Sequence, residues 1–336
     1  MANHVTFPGL GLEFDINRVA FSIGGFNIYW YGLLIAIGFC LALVFAFSNA
    51  KRFGINDDRM VDVILLTTIC AIVCARAYYV VFAPFEYESL WDMVNLRDGG
   101  LAIYGGVLGA VVFGILFCKL RKVPVLPMLD LASIGFLIGQ GIGRWGNFFN
   151  QEAFGTNTDL PWGMYSEGTH NYLSSVHQTL AEQGITVDPS MPVHPTFLYE
   201  SIWCLLGFVL LALYIPKRKF HGEIALMYAA WYGAERAVVE GLRTDSLMLG
   251  GVRVSQALAA VSVVAAAVAL VVLRKKYKDT PLVIATEESQ AQAAEVPAAE
   301  TEQPQEPEQA EQTEQLAEAV SDSQEQAEEV AAEEKQ

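Results

Sequence analysis

The chain has few charged residues for its length. Of its 336 residues, 17% are Asp, Glu, Lys or Arg and 53% are hydrophobic, whereas soluble domains usually contain about 25% charged residues. This shortage excludes an ordinary soluble domain and indicates a chain that lies mostly in lipid. The net charge of −16 comes almost entirely from residues 287–336, whose side chains sum to −15. The main body is nearly neutral, so the total charge says nothing about its partners.

Cysteine is also scarce, and a signal peptide is not evident. The five cysteines lie in apolar runs, and none has a spacing to a histidine that is typical of a metal site. We therefore expect neither a disulfide framework nor a metal site. Residues 1–27 are polar and aromatic-rich and lack a basic start followed by an apolar stretch. We expect the first apolar run to remain in the mature protein.

Long apolar runs dominate the rest of the chain. Seven of them approach the roughly 20 residues that a helix needs to span a bilayer. They lie at residues 26–48, 60–82, 100–118, 126–148, 195–215, 223–242 and 249–273. The pattern predicts an all-α, polytopic membrane protein with seven transmembrane helices.

Clusters of basic residues follow every odd-numbered run. The clusters begin at Lys51, Lys119, Lys217 and Arg274. Because Lys and Arg concentrate in cytoplasmic loops, we expect the N-terminus outside and the C-terminus in the cytoplasm. The long loop at about residues 151–194 then lies on the outer face.

The predicted organisation has three parts. Residues 1–25 form an extracytoplasmic segment, residues 26–279 a seven-helix catalytic domain, and residues 280–336 a cytoplasmic tail. The tail is rich in Ala, Glu, Gln and Pro, and such a composition cannot bury enough apolar surface to fold. We expect it to be disordered, acting either as a solvated spacer or as a docking arm.

Ionisable residues within the apolar runs are few, and their cost in lipid makes each a functional candidate. The main candidates are Arg76, Asp130, Arg144, Glu200, Glu235, Arg236 and Glu240. In the predicted orientation Arg144, Glu200, Glu240 and Arg243 lie in the outer half of the membrane or at its boundary. A site that opens to the outer leaflet is therefore expected.

The densest polar segment is residues 143–155, with the sequence GRWGNFFNQEAFG. Arg144 can bind a phosphate through bidentate hydrogen bonds, and Asn147, Asn150 and Glu152 can form hydrogen bonds with hydroxyl groups. The alternative is that Arg144 only reaches for the membrane interface and that the glycines serve helix packing.

The sixth run places Arg236, Glu240 and Arg243 at positions i, i+4 and i+7, on one helix face. They could form a purely internal ladder of salt bridges. One carboxylate cannot neutralise two guanidinium groups, however, so a positive charge remains for an anion. A phospholipid head group is the anion most available at that depth.

These segments resemble those of the prolipoprotein diacylglyceryl transferases. Residues 143–155 fit the signature GRx(G/A)NFxNxExxG of that family at every specified position. The family's other segments are also present in the expected order, at residues 30–32, around Tyr104, at residues 194–200 and at residues 236–243. The likeness covers roughly residues 20–275.

The resemblance implies a transferase of the bacterial cytoplasmic membrane, with its active site facing the outer leaflet. It implies transfer of the diacylglyceryl group of phosphatidylglycerol to the thiol of the lipobox cysteine in a prolipoprotein, which forms a thioether and releases glycerol 1-phosphate. Phosphatidylglycerol, prolipoproteins and membrane lipid are the expected partners. No cofactor, metal or nucleic acid is expected.

The resemblance also implies the site residues. The candidates for catalysis are Arg144, Tyr104, Glu152, Arg236, Tyr31 and Asn147. The candidates for binding phosphatidylglycerol are Arg144, Arg236, Asn147, Asn150, Gly155, His194, Glu200, Glu240 and Arg243. Of these, Arg144 and Arg236 would form the phosphate-binding pair.

Tyr104 departs from the family, whose better-known members have a histidine there as a candidate acceptor of the thiol proton. Tyrosine is a poor base at neutral pH. The acceptor therefore stays open between Tyr104, Glu152, His194 and water, and a further alternative is that the thiol ionises near Arg144 without a dedicated base.

Two functions of other classes also use buried polar residues in a membrane. A transporter or channel for an anionic solute would need intramembrane Arg and Glu, but the two halves of the chain show no convincing repeat. A membrane scaffold would explain the helices and tail but not the clustering of Arg, Asn and Glu.

Overall fold

The computed structural model describes residues 2–85, 87, 89–95, 99–182, 184–244, 248–249 and 252–284. The acidic tail that the sequence predicts to be disordered lies outside these residues from position 285 onward.

The fold is mostly helical. Its helices are α1 (Trp30–Asn49), α2 (Asp57–Val81), α3 (Leu90–Val94), α4 (Ile103–Leu120), α5 (Val125–Asn150), α6 (Glu167–Glu182), α7 (Thr196–Tyr214), α8 (Glu223–Leu242) and α9 (Val254–Lys276). Among the described residues, α1, α2, α4, α5, α7 and α9, with short 3₁₀ extensions, give six segments long and apolar enough to cross a membrane. The chain is therefore built as a multi-pass membrane protein.

Helix α8 is the remaining one of the seven predicted spans. It has 20 residues, enough to cross a bilayer, but it carries four ionisable side chains, Glu223, Glu235, Arg236 and Glu240. Three of these are buried, so its polar groups face protein rather than lipid.

Small residues bring the helices together around α5. A Cβ atom on Gly38 of α1 would lie 3.2 Å from the Cα atom of Gly139, and one on Gly141 would lie 2.9 Å from Leu205 of α7. Such close backbone approach is typical of helix contacts in membranes. Helix α8 packs against α9 in the same way, at Gly233.

A side chain of α5 caps the N-terminus of α8. The Asp130 carboxylate, fully buried in α5, accepts hydrogen bonds from the backbone N–H groups of Gly222 (2.7 Å) and Ala225 (2.8 Å). Gly222 has a φ of +93°, in the left-handed region that favours glycine. Asp130, a functional candidate by its position in the sequence, thus serves to start α8.

The expectation of an all-α fold was wrong at the N-terminus. Residues 2–29 form two antiparallel hairpins, β1 (Ala2–Phe7) with β2 (Leu12–Asn17) and β3 (Val19–Ile23) with β4 (Phe26–Tyr29). Strand β1 also pairs with β5 (Tyr165–Ser166), so the N-terminus and the long loop share a three-stranded sheet. A short hairpin of β6 (Met248–Leu249) and β7 (Val252–Arg253) precedes α9.

This sheet covers the end of the bundle where α5 ends and α7 begins. Its core joins Val5 and Ile16 of the strands to Leu173 of α6, Phe148 of α5 and Phe197 of α7. We call this region the loop domain, comprising residues 2–29 and 151–194. It fixes the chain around the polar ends of α5, α7 and α8.

Candidate active site

Three arginines converge on one buried glutamate beneath the loop domain. Glu200, in the second turn of α7, has a side chain that is 1% exposed. Its Oε2 atom forms an ion pair with Arg144 and lies 4.0 Å from Nη1 of Arg236, and its Oε1 atom lies 3.9 Å from Nη1 of Arg243. Arg236 also forms an ion pair with Glu240, one helical turn further along α8.

This arginine cluster, Arg144, Arg236 and Arg243 with Glu200 and Glu240, carries three positive and two negative charges. The arginine side chains are 12–21% exposed. A net charge of +1 in a site that is mostly shielded from water favours an anion strongly. The cluster can therefore bind a phosphate, and it brings together five of the side chains that the sequence analysis named as candidates for the site.

Backbone hydrogen bonds join the end of the signature segment, residues 143–155, to the start of α7 and the end of α8. The N–H of Gly155 donates to the carbonyl of His194 (2.9 Å), the N–H of His194 donates to the carbonyl of Thr156 (3.0 Å), and the N–H of Thr156 donates to the carbonyl of Leu242 (2.7 Å). A Cβ atom on Gly155 would lie 2.8 Å from the Cβ of His194 and 3.1 Å from the oxygen of Leu242. Gly155 thus permits an approach that places the ends of α7 and α8 side by side.

The second half of the signature forms a carboxylate site beside the cluster. Helix α5 ends at Gln151, which has a left-handed φ of 55°, and the chain turns so that Glu152 faces back toward the helix. Oε1 of Glu152 accepts hydrogen bonds from the side-chain amides of Asn147 (3.0 Å) and Asn150 (3.2 Å). Two donors on one oxygen fix the orientation of this carboxylate.

A cavity of about 640 Å³ opens at Glu152. Its lining includes Tyr31 at the start of α1, together with Asn150 and Arg18. Arg18 donates a hydrogen bond to the backbone carbonyl of Asn150 at 2.7 Å. The space suits part of a substrate, and both Tyr31 and Glu152 line it.

His194 is oriented by two neighbouring aromatic side chains. Nε1 of Trp162 donates to the hydroxyl of Tyr199 (2.8 Å), and this hydroxyl lies 3.2 Å from Nδ1 of His194. Burial lowers the pKa of His194, so the imidazole is neutral at neutral pH. One ring nitrogen of a neutral imidazole is a donor and the other an acceptor.

Tyr104 and Arg76 lie apart from this arrangement. Tyr104, in the first turn of α4, is 56% exposed. Among the described residues, no hydrogen bond or ion pair joins it to the arginine cluster. Arg76 of α2 donates to the carbonyls of Asp92 (2.6 Å), Met93 (2.9 Å) and Gly99 (2.7 Å). It secures the loop before α4 and has a structural task.

Sequence reasoning did not assign two residues to the site. Arg18 is an isolated charge before the first apolar run, and nothing in the sequence indicates its hydrogen bond to Asn150. Glu235 was recognised as ionisable but not placed in the site. Its burial beside Arg236 is visible only once α8 packs against α5 and α7.

Comparison with known proteins gives consistent matches. A family model described as prolipoprotein diacylglyceryl transferase matches residues 18–272. The chain is 38% identical over 265 residues to the phosphatidylglycerol–prolipoprotein diacylglyceryl transferase of Clostridioides difficile, covering 79% of this chain and 98% of that protein. The proteins of the same name from Finegoldia magna (43% identity, 78% and 96% covered) and Bacillus cereus (42%, 79% and 95%) are similar over the same extent.

Proposed function

The chain belongs to the prolipoprotein diacylglyceryl transferase family, and from this premise we propose that its arginine cluster binds the phosphate of phosphatidylglycerol. The enzyme transfers a diacylglyceryl group from phosphatidylglycerol to a prolipoprotein. The observation that supports the proposed site is the convergence of Arg144, Arg236 and Arg243 around one buried carboxylate, Glu200. An enzyme accounts for this polar cluster, and the transporter and scaffold alternatives are set aside.

The acceptor is the thiol of the lipobox cysteine in the prolipoprotein. Its thiolate sulfur bonds to the glycerol carbon that carries the phosphate, the carbon–oxygen bond breaks, and the electron pair stays on the phosphate oxygen. Glycerol 1-phosphate leaves with one more negative charge than the diester had. Preorganised guanidinium groups stabilise that developing charge without having to reorient.

Arg144 and Arg236 are the phosphate ligands, and Glu200 and Glu240 hold them in place. Each of these arginines has an ion pair with a side chain that is 1% exposed. A guanidinium group has five N–H donors in a fixed fork, so an arginine that contacts a carboxylate still has donors for a phosphate oxygen. Arg243 adds positive charge from the far side of Glu200.

The prolipoprotein cysteine enters the cavity lined by Tyr31, Asn150 and Glu152. Glu152 is favoured over the exposed Tyr104 as the acceptor of the thiol proton, because hydrogen bonds fix the orientation of its carboxylate. His194 is the weaker candidate, because its Nδ1 already shares a hydrogen bond with the hydroxyl of Tyr199. The nearby guanidinium groups favour the thiolate, which is the nucleophilic form.

The enzyme lies in the bacterial cytoplasmic membrane with seven transmembrane helices, including α8. The basic clusters after α1, α4, α7 and α9 support an orientation with the N-terminus outside and the C-terminus in the cytoplasm. The loop domain then faces outward. Both acyl chains can stay in the outer leaflet while the head group reaches the arginine cluster.

A transfer assay tests the proposed site. Purified full-length protein in detergent receives labelled phosphatidylglycerol and a lipobox peptide, and the thioether product is measured. We expect Arg144→Ala to reduce turnover at least about 100-fold, the scale for removing a preorganised charge partner, and a peptide with Ser for Cys to give no product. Arg121→Ala is the matched control, since Arg121 pairs with Asp62 in an exposed position where such pairs contribute little. Equal turnover in Arg144→Ala and wild type would contradict the assignment.

A further inference from the structure

Glu235 is a buried carboxylate beside the arginine cluster that the proposed reaction does not use. It is 4% exposed and lies four residues after Trp231 and four before Val239, so these side chains share one face of α8. Trp231 packs against Gly207 of α7, which shows that this face turns toward α7. Among the residues that the structure describes, neither Glu235 carboxylate oxygen has a hydrogen-bond partner.

The surroundings of Glu235 contain a second polar atom without a partner. Gln140 of α5 donates from its amide nitrogen to the hydroxyl of Tyr228 at 3.0 Å. Its own carbonyl oxygen is buried and, within the described part of the chain, accepts no hydrogen bond. Tyr228 lies seven residues before Glu235 and therefore on the same helix face. A buried carboxylate without a hydrogen-bond partner is costly to keep ionised.

Titratable and charged groups face Glu235 from each helix packed around it. From α5 comes Arg144, from α7 come Glu200 and Cys204, and from α8 and its end come Tyr228, Tyr232, Arg236 and Arg243. Helix α9 contacts α8 at Gly233 through Ala259 and Val263, and its charged residues, Arg274, Lys275 and Lys276, all lie in its last turn.

The charge of the site depends on the protonation of Glu235. With Glu235 ionised, the three arginines meet three carboxylates and the net charge is zero. With Glu235 protonated, the net charge is +1, which matches the single negative charge of a phosphodiester. We propose that Glu235 is a positioning residue that takes up a proton when a lipid phosphate occupies the arginine cluster, an inference that rests on the proposed function.

Proton uptake and lipid binding are then coupled in both directions. If the bound phosphate favours the protonated form of Glu235, the protonated form must bind the phosphate more tightly by the same factor. Raising the pH deprotonates Glu235 and weakens lipid binding. The coupling also suits the reaction, because the leaving glycerol phosphate gains a negative charge that an ionised Glu235 would oppose.

Direct lipid binding tests the proposal without involving the thiol. The full-length protein in detergent is titrated with short-chain phosphatidylglycerol at a series of pH values. For the wild type, we expect the affinity to fall about tenfold between the protonated and deprotonated states of Glu235, which corresponds to a coupling of one pKa unit. For Glu235→Gln, which is permanently neutral, we expect the affinity of the acidic form at every pH.

Two further variants make the result specific. Glu235→Asp retains a titrating carboxyl group and should retain the pH dependence of binding. Glu223→Gln is the matched control, because Glu223 is a fully buried carboxylate of the same helix at its opposite end, and it should leave the pH dependence unchanged. Thermal unfolding in the same detergent shows whether each variant is folded.

Two results would overturn the inference. One is an identical pH dependence in the wild type and Glu235→Gln. The other is a folded Glu235→Gln protein that binds lipid weakly at every pH while Glu235→Asp binds normally, since Glu235 would then act as a charge. Arg144→Ala separates this inference from the proposed function: if that variant binds lipid as well as the wild type, the phosphate site itself is wrong.

Discussion

At the scale of single residues, Glu200 determines the geometry of the arginine cluster. Its carboxylate contacts arginines from α5, from α8 and from the segment after α8. Three like charges this close repel each other unless a buried anion lies between them. Glu200 therefore orients the guanidinium groups and also permits them to be neighbours.

Glu200→Gln should lower both stability and turnover, although glutamine and glutamate have side chains of similar size. The substitution removes one negative charge from a buried network, and breaking such a pair costs about 3–5 kcal/mol. We expect the free energy of unfolding to fall by an amount within or below that range, because the arginines remain partly exposed, and turnover to fall at least about 100-fold. Thermal unfolding and the transfer assay, both in detergent, measure the two effects.

Ser201→Ala is a suitable comparison, because Ser201 is the buried neighbour of Glu200. Its hydroxyl donates to the carbonyl of Gly141 at 2.8 Å and accepts from Nε1 of Trp145 at 3.1 Å. We expect the substitution to lower stability by about 2 kcal/mol, the scale for two neutral hydrogen bonds, with little loss of turnover. If Glu200→Gln behaved like Ser201→Ala, the arginines would be oriented by other groups.

At the scale of helices, the crossing of α1 and α5 positions Tyr31 in the cavity. A Cβ atom on Gly146 would lie 3.2 Å from the Cα atom of Tyr31. We predict that Gly146→Ala separates the two helices, lowers stability by about 1–3 kcal/mol, the range for overpacking, and reduces turnover because Tyr31 moves away from Glu152. Thermal unfolding and the transfer assay detect both changes.

Gly139→Ala is the matched control in the same helix. A Cβ atom at Gly139 would meet nothing within 4 Å, and alanine is the better helix former by about 1 kcal/mol. This variant should be as stable as the wild type or slightly more so, with normal turnover. Equal effects of the two substitutions would show that the loss of a helical glycine, not the contact with Tyr31, is responsible.

Helices α7, α8 and α9 are joined at the opposite end of the bundle by a second buried carboxylate. Glu223 is fully buried and accepts a hydrogen bond from Nε of Arg274 at 2.7 Å and from the hydroxyl of Tyr214 at 3.1 Å. Because this group lies far along α8 from the arginine cluster, it serves packing and not the reaction.

Arg274→Met should therefore separate stability from catalysis. It leaves Glu223 buried without its charge partner, which costs up to about 3–5 kcal/mol, and less here because the Arg274 side chain is 40% exposed. We expect a clearly lower unfolding temperature with normal turnover below that temperature. Lys275→Met, which changes the neighbouring charge, should leave both unchanged, and a loss of turnover in folded Arg274→Met protein would contradict the prediction.

The sequence predicts the helices well because a bilayer demands long apolar runs. It missed the strands of residues 2–29 because short hairpins need only a few residues and contain apolar side chains that merge with the first run. Thus the run expected from residue 26 begins as a strand, and α1 starts at Trp30. Helix α6, in the long loop, was missed because its stability comes from packing on β1 and β5.

At the scale of the whole molecule, the active site joins segments that are far apart in the chain. The signature identified Arg144 and Glu152, and helix spacing identified Arg236 and Glu240. Which arginine contacts Glu200 could not be read from the sequence, because it depends on how α5, α7 and α8 pack. The same limit applies to Tyr104, which the resemblance placed in the site but which the described contacts leave apart from the arginines.

The orientation of the molecule in the membrane decides which lipids and which peptides reach the site. The loop domain contains no Lys or Arg between residues 151 and 194, whereas the opposite end carries every basic cluster, which favours a loop domain on the outer face. A prolipoprotein cysteine arriving at the outer surface then meets the cavity at Glu152 directly.

Cysteine labelling in spheroplasts tests this orientation. In a background whose five native cysteines are replaced and whose turnover is retained, Asn171→Cys places a thiol on an exposed position of α6 and Lys217→Cys places one on an exposed position after α7. We expect a membrane-impermeant thiol reagent to label Asn171→Cys in spheroplasts and Lys217→Cys only after permeabilisation. The reverse pattern would put the arginine cluster on the cytoplasmic side, where a prolipoprotein already moved across the membrane could not reach it.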